Sequence, residues 1–422
     1  MLFVMTSILP KGTVAAANSD PEIFEVDGVR VAHYQNSSFL TNIQVLTGVG
    51  SAAESKSDMG LAHILEHMFF KGSTKRPGGT NISRAANDIG GKMNAYTTYD
   101  HTVYYITVMN DVFEEGFDIL ADMYQNPLFP QGEFEKELTP ILSEYRERED
   151  DPESFIVERA LAEFYGDAYH PIIGTEETIK GATVESMHAC KRRYYGGNNC
   201  LLSIAGGVDR ERVVAAVRKL FPATAATEAP PARTVEHTAG ELTLTKSGIQ
   251  EAYYNLFFPA LPPGHPDRFK QDMMNYLLGG NDSALLFARV REERGMSCYG
   301  IYSWSMRHAP FSLLGISCGI APDEIDDLHG EVTDQIKRIC DSPLGEDRLK
   351  RGKASLRTSI AAKSETSNGI GGMIGVPMLR GETENPIKKA LREIESITLD
   401  DVLTQARSTL HGPMYKAILM PA

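Results

Sequence analysis

The spacing of apolar residues changes period along the chain, and each change marks an element. Residues 24–33 alternate apolar and polar side chains around Asp27-Gly28, which predicts a hairpin. Residues 41–48 read as a buried strand, and residues 82–89 as a helix closed by Gly90-Gly91. Two β-rich runs, 92–99 and 102–108, meet at Asp100-His101 and read as a strand pair. Phe113, Phe117, Leu120 and Tyr124 recur on one helical face, so a helix is expected over 111–124. A strand over 201–205, ending in Gly206-Gly207, and a helix over 210–221 follow.

Residues 222–232 are poor in large apolar side chains and rich in Pro, Ala and Thr, the composition of a linker. Beyond them the pattern restarts. Strands are expected over 241–245 and 252–258, then a helix over 268–278 ending at Gly279-Gly280. A strand over 310–318, helices over 323–340 and 399–410, and a strand over 414–420 complete the chain. The expectation is an α+β fold made by tandem duplication. Two homologous α/β domains with mixed or antiparallel sheets, residues 20–222 and 241–422, would be joined by a linker over 223–240.

One predicted helix carries chemistry, Asp58-Met-Gly-Leu-Ala-His63-Ile-Leu-Glu66-His67-Met-Phe-Phe-Lys-Gly72. Asp58 reads as its N-cap and Gly72 as its stop. His63 and His67 lie four residues apart on one face, placed to share a metal ion, and Glu66 emerges beside them. This H-x-x-E-H order is the inverzincin pattern. The plainer alternative is a pair of surface histidines on an amphipathic helix. A catalytic zinc needs a third protein ligand. Phe134, Leu138, Ile141, Leu142 and Tyr145 mark the buried face of a further helix, and Glu137 and Glu144 share another of its faces. From the residues alone these acids are expected to face solvent.

The net charge of −14 over 422 residues excludes a general nucleic-acid binder, which needs a basic surface. It is compatible with the attraction of basic peptides, and equally with a charge that merely keeps a large chain in solution. The five cysteines form no C-x-x-C pair, which argues against a disulfide framework or a cysteine-held zinc and for free thiols in a reducing compartment. No apolar run reaches membrane-spanning length. The expected compartment is the cytoplasm. The alternative is the periplasm, should the short apolar stretch 1–10 and the triplet Ala15-Ala16-Ala17 serve as a signal peptide.

H-x-x-E-H is separated by 76 residues from Glu144, in an Ile-Leu-Ser-Glu context. With Phe70-Lys-Gly-Ser-Thr74, Ile89-Gly-Gly-Lys-Met-Asn94-Ala-Tyr-Thr97, His170-Pro-Ile-Ile-Gly-Thr-Glu-Glu-Thr-Ile179 and Arg193-Tyr-Tyr-Gly-Gly-Asn198, it resembles the pitrilysin/insulinase family of zinc peptidases. Length and duplicated halves resemble the short branch, which includes the mitochondrial processing peptidases and their bacterial relatives. The resemblance implies one Zn²⁺ per chain held by His63, His67 and Glu144, with Glu66 as general base and Glu137 as a supporting acid. Pro140, between the two glutamates, is expected to kink their helix and disturb the aim of Glu137.

The resemblance further implies that Asn94 and Ala95 lie on an edge strand to which substrate adds. Arg291 and Tyr299 would hold the substrate carbonyl, although their spacing is one residue longer than the family pattern and Tyr302 is an alternative. The implied activity is zinc endopeptidase cleavage of short, unstructured peptides inside a chamber enclosed by the two domains. The implied assembly is a homodimer, or a heterodimer with a related chain. The rival readings are a non-catalytic or partner-dependent subunit, and a metal-binding protein without peptidase activity. The second has no use for Glu66.

Overall fold

The computed structural model describes residues 20–231, 233 and 235–422; the stretch 1–10 and the alanine triplet lie outside them. The first half opens with the expected hairpin, β1 (Glu22–Val26) and β2 (Val29–Gln35). Asp27 and Gly28 both take positive φ there, 48° and 88°, as a tight two-residue turn requires. Then come β3 (Leu40–Thr47), α1 (Leu61–Phe69), α2 (Asn81–Asp88), β4 (Lys92–Thr97), β5 (Thr102–Met109), α3 (Phe113–Gln125), α4 (Gln131–Asp150) and α5 (Pro152–Tyr165). The half closes with α6 (Glu176–Gly181), α7 (Val184–Tyr194), β6 (Cys200–Gly206) and α8 (Arg210–Leu220).

The second half runs β7 (Gly240–Lys246), β8 (Ala252–Pro259), α9 (Arg268–Gly279), α10 (Leu285–Phe287), β9 (Ile301–Arg307) and β10 (Ser312–Ile320). It continues with α11 (Ile325–Asp341), α12 (Glu346–Lys363), α13 (Ser367–Leu379), α14 (Pro386–Ser396), α15 (Leu399–Leu410) and β11 (Tyr415–Pro421).

The duplication is visible in the strand order. The first sheet is β1-β2-β6-β3-β5-β4 and the second is β7-β11-β8-β10-β9. Substituting β7 for β2, β11 for β6, β8 for β3, β10 for β5 and β9 for β4 reproduces the order and every pairing sense. That includes the single parallel pair in each sheet, β2 with β6 and β7 with β11. In both sheets the strand that follows the first long helix, β4 or β9, is an edge.

Each sheet buries one face against helices of its own half and the other face against a helix lent by the opposite half. In the first half Leu65, Met68 and Phe69 of α1 join Phe113, Phe117 and Leu120 of α3 over Ile43, Val45 and Ile106. The opposite face of that sheet receives α13, whose Ile370, Ile374 and Met378 pack on Ala32, Tyr34, Leu201 and Ala205. Small residues permit the approach: a Cβ on Gly371 would lie 2.7 Å from Asn42 Oδ1, and one on Gly375 3.0 Å from Leu46 Cδ2. Ser203 Oγ donates to the Gly371 carbonyl at 3.0 Å. In exchange, α5 places Ile156, Ala160 and Phe164 with Phe257, Leu313 and Ala417 on the second sheet.

The loop between β4 and β5 ties the halves together. Asp100 Oδ1 accepts from His101 Nδ1 (2.7 Å) and His308 Nδ1 (3.0 Å). Its Oδ2 accepts from the Ala309 N–H (2.9 Å) and Arg380 Nη2 (2.5 Å). Burial opposes the Asp100 charge, but the histidine bonds and Arg380 outweigh it and hold the carboxyl far below the usual range. A folded-state pKa below the unfolded value stabilises the fold above the unfolded pKa. That contribution drains away as pH falls below about 4 toward the folded value. Asp100→Ala strands Arg380 and the His308 imidazole, so a loss of about 3 kcal/mol is expected in urea unfolding at pH 7. The wild-type and mutant curves should converge in strong acid, and an unchanged midpoint at pH 7 would show that the halves are held elsewhere.

Candidate metal centre and peptide cleft

The α1 helix begins differently from the sequence expectation. Asp58 does not cap it. The turn passes through Gly60, at φ 87°, where a Cβ would lie 2.5 Å from the Ile173 carbonyl oxygen. Asp58 instead accepts from Ser55 Oγ at 2.6 Å. The first helical N–H groups go to buried Glu54, which accepts from Gly60 N (2.8 Å) and Ala62 N (2.7 Å). Burial pushes the Glu54 carboxyl well up, against those two bonds. Arg233, from the segment joining the halves, donates to the carbonyls of Ala52 and Glu54 and holds this corner in place. The helix ends at Phe69, and Gly72 serves the following turn at φ 130°.

On α1 the imidazoles of His63 and His67 stand edge to face with centroids 4.7 Å apart. Helix α4 runs unbroken through Pro140 and brings Glu144 to both. His63 Nε2 lies 3.5 Å and His67 Nε2 3.7 Å from the same Glu144 oxygen, Oε2. These separations are long for hydrogen bonds. Two ligands on one tetrahedral zinc at bond lengths near 2.0–2.1 Å stand about 3.3 Å apart, so the trio has the spacing to share an ion. Two imidazoles and a carboxylate are also a donor set that zinc accepts.

The protonation pattern shows the same convergence. Burial and repulsion from His67 push the His63 imidazole down to about 4. Burial also opposes charge on His67, but the Glu137 and Glu144 carboxylates beside it prevail and hold it at about 9. His67 Nδ1 meets Glu137 Oε1 at 3.0 Å, and Glu137 Oε2 pairs with Lys71 Nζ at 2.5 Å. Glu137 thus orients the second imidazole from behind, and the feared kink at Pro140 does not misdirect it.

Glu66 stays outside the trio. Its Oε2 accepts from Thr97 Oγ1 at 2.6 Å, and burial raises its carboxyl against that bond. Glu66, His67, Phe70, Lys71, Met93, Asn94 and Glu137 line a cleft of about 370 Å³. Its wall is the edge strand β4, where the Ala95 N–H donates to Asn94 Oδ1 at 2.9 Å. Ala95 itself is buried, and Tyr96 is partly exposed.

Arg291 and Tyr299 are not brought to this cleft. Arg291 Nη1 donates to the carbonyls of Cys298 (2.7 Å) and Tyr299, and its guanidinium sits near the rings of Phe287 and Tyr299. Tyr299 is 95% exposed. The alternative, Tyr302, gives its hydroxyl to Glu153 of α5. None of the residues lining the cleft comes from the second half.

The internal repeat supplies a control. Between α9, β9, α12 and α14 lies a cavity of about 520 Å³ in the position that corresponds to the metal cleft. Buried Met273, Met274, Leu277 and Leu278 match Ile64, Leu65, Met68 and Phe69 in spacing. That register sets Asp272, Asn275 and Tyr276 where α1 has His63, Glu66 and His67. Asp272 is bound by Arg307 at 2.6 Å, so the second half keeps the cavity and lacks the ligands. Among the described residues one other cluster, Asp100-His101-His308, has ligand-type atoms close together, but its carboxylate already binds Arg380 and the Ala309 N–H.

Sequence reasoning missed Glu54, Thr97 and Lys71 as supports. Thr97 stood inside a recognised block, as the last residue of β4 and paired with Thr102, and its hydroxyl was the available signal. Glu54 carried no signal, because its role depends on a loop that folds back.

Residues 30–175 match the family described as Insulinase (Peptidase family M16), and residues 181–356 match Peptidase M16 inactive domain. An uncharacterized zinc protease of Streptomyces coelicolor is 30% identical over 372 residues, 86% of this chain and 81% of the relative. The uncharacterized zinc protease YmxG of Bacillus subtilis is 26% identical over 400 residues, 94% of this chain and 97% of the relative. A protease from Helicobacter pylori has a similar fold, with TM-score 0.88, 20% identity, and coverage of 95% of this chain and 100% of that one. No described helix is long and apolar enough to cross a membrane.

Proposed function

Because the chain belongs to the insulinase family of peptidases, M16, we propose that it is a zinc endopeptidase that cleaves short, unstructured peptides at the His63–His67–Glu144 centre. The observation that carries this reading is the convergence of three ligand atoms at single-ion spacing, with Glu66 beside them and outside the ligand set. Zinc bound there would acidify a water and polarise the scissile carbonyl.

The remaining work falls to the chain's own groups. Glu66 takes the proton of the attacking water and returns it to the leaving amine; its raised carboxyl favours both directions of transfer. Thr97 holds the unused side of that carboxylate. Glu137 engages His67 Nδ1, which would leave Nε2 free to hold the metal. The open edge of β4 takes the substrate as an added strand, with Asn94 and Ala95 at the point of contact. Strand addition requires an extended segment, so a folded protein is a poor substrate. The assay is cleavage of an unstructured peptide alongside a stably folded protein. Internal cuts in the peptide alone are expected, and equal attack on both would contradict the reading.

We also infer a dimer, in which half-buried Arg291 and exposed Tyr299 of one copy face the cleft of the other and steady the substrate carbonyl. A homodimer is the simplest form, and a heterodimer with a related chain is the second reading. Glu66→Gln and Arg291→Ala chains, each weak alone, should regain about a quarter of wild-type activity when mixed and exchanged, since half of the dimers carry one intact site. No recovery would exclude a site completed by Arg291 of a second copy.

A further inference from the structure

The cavity of the second half keeps the layout of the metal cleft and changes its chemistry. On α9, Asp272, Asn275 and Tyr276 take the places of His63, Glu66 and His67. Helix α12 starts at Glu346 as α4 starts at Gln131, and equal steps from the two starts bring Ser359 to the place of Glu144. All four residues line the cavity of about 520 Å³. An amide stands for the base and a hydroxyl for the third ligand, so the site is built to bind without cutting.

Three properties of the lining define the ligand. Asn275 is 7% exposed; its main-chain carbonyl accepts from Ser303 Oγ at 2.8 Å, and its Oδ1 is buried with no hydrogen-bond partner among the described residues. A buried acceptor left unpaired is costly, and an N–H on a ligand relieves it. Asp272 is neutralised by Arg307 at 2.6 Å, whereas Lys363, at the end of α12, has no ion pair or hydrogen bond from its Nζ among the described residues. The uncompensated charge of the lining is therefore positive and suits a carboxylate. Phe269, Leu356, Ile360, Ala390 and Ile394 supply an apolar wall.

The edge of β9 leaves room for the end of a ligand and not for an added strand. His308 N–H donates to the Phe311 carbonyl, so the alternation of the ladder turns the backbone groups of Ser303, Ser305 and Arg307 away from β10. Gly279 closes over the first of them, since a Cβ there would lie 2.8 Å from Ser303 N. We propose that this cavity binds an N-acylated amino acid with a free carboxylate and an apolar side chain, either as a small molecule or as the C-terminal residue of a peptide. The amide N–H of the ligand donates to Asn275 Oδ1, Lys363 takes the carboxylate, and the side chain lies on the wall of Phe269, Ile360 and Ile394. A peptidase releases fragments that end in such a residue, so the site would hold the chain's own products. That consequence rests on the peptidase reading proposed above; binding does not.

The test is calorimetric titration of the full-length chain with N-benzoyl-leucine, with its amide and with its N-methyl analogue. One molecule per chain is expected to bind, alike in zinc-loaded and chelator-stripped protein, because no residue of the metal cleft lines this cavity. The amide lacks the charge and the N-methyl analogue lacks the donor, so each should bind about tenfold more weakly. Lys363→Gln should weaken the acid about tenfold and leave the amide unchanged. Asn275→Leu should weaken the acid and leave the N-methyl analogue unchanged. Lys363 is exposed, so its variant keeps the test decisive should Asn275→Leu fail to fold. In stripped protein, displacement of N-benzoyl-leucine by a pentapeptide ending in a free leucine would assign the site to peptide ends, and no displacement would assign it to free N-acyl amino acids. No binding of the acid, equal binding of the amide, or binding lost with the zinc would overturn the proposal. A chain that binds N-benzoyl-leucine and hydrolyses no peptide would count against the peptidase reading and leave this site standing.

Discussion

Glu66→Gln is expected to lower kcat on an unstructured peptide by about 10³-fold, the scale of a lost general base. The zinc content should stay at one per chain. The two halves of this expectation come from different contacts. The Glu66 carboxylate is bonded to Thr97 and lies outside the ligand trio, so its amide leaves His63, His67 and Glu144 where they are. Glutamine can still accept from the Thr97 hydroxyl, which preserves the local packing, but it cannot take a proton from water. KM should therefore change little while kcat collapses. Residual activity within tenfold of wild type would mean that another group serves as base.

Glu144→Gln is expected to remove both metal and activity. One oxygen of Glu144 stands near the Nε2 atoms of both histidines, and no other carboxylate among the described residues joins those two in a ligand-type cluster. Metal affinity should fall by more than about 100-fold, beyond the 10- to 100-fold expected when an orienting partner is lost, as in Glu137→Gln. That ordering is the informative part. Glu137 touches only the far nitrogen of His67 and shares its charge with Lys71, so its loss should weaken zinc binding without abolishing it. Equal losses for the two variants would contradict the assignment of ligand and support.

The sequence made some of this legible because the signals are local. Helical spacing puts His63 and His67 on one face wherever the helix sits, and Asp27-Gly28 makes a turn whatever surrounds it. The supports were not legible, since they depend on tertiary contacts. Glu54 reaches the start of α1 only because the chain turns at Gly60, so Asp58 read as the cap from proximity alone. Helix α13, Ser-Asn-Gly-Ile-Gly-Gly-Met-Ile-Gly-Val-Pro-Met-Leu, shows no apolar stripe and carries Gly and Pro. It was invisible to periodicity because it is apolar almost all round and its glycines press on Asn42 and Leu46 of the other half. The exchange of α5 and α13 likewise leaves no mark in either half read separately. Arg291 and Tyr299 were recognisable as an element, but their distance from the cleft depends on how the halves dock and which chain they serve.

The central claim is that one zinc, held by His63, His67 and Glu144, makes this chain a peptidase. The direct measurement is stepwise zinc addition to chelator-stripped protein, with hydrolysis of an unstructured peptide and bound metal read at each step. Activity is expected to be absent from the stripped protein, to rise in proportion to bound zinc, and to saturate at one ion per chain. Hydrolysis by the stripped protein, or full zinc loading without hydrolysis in the assembled protein, would contradict the account.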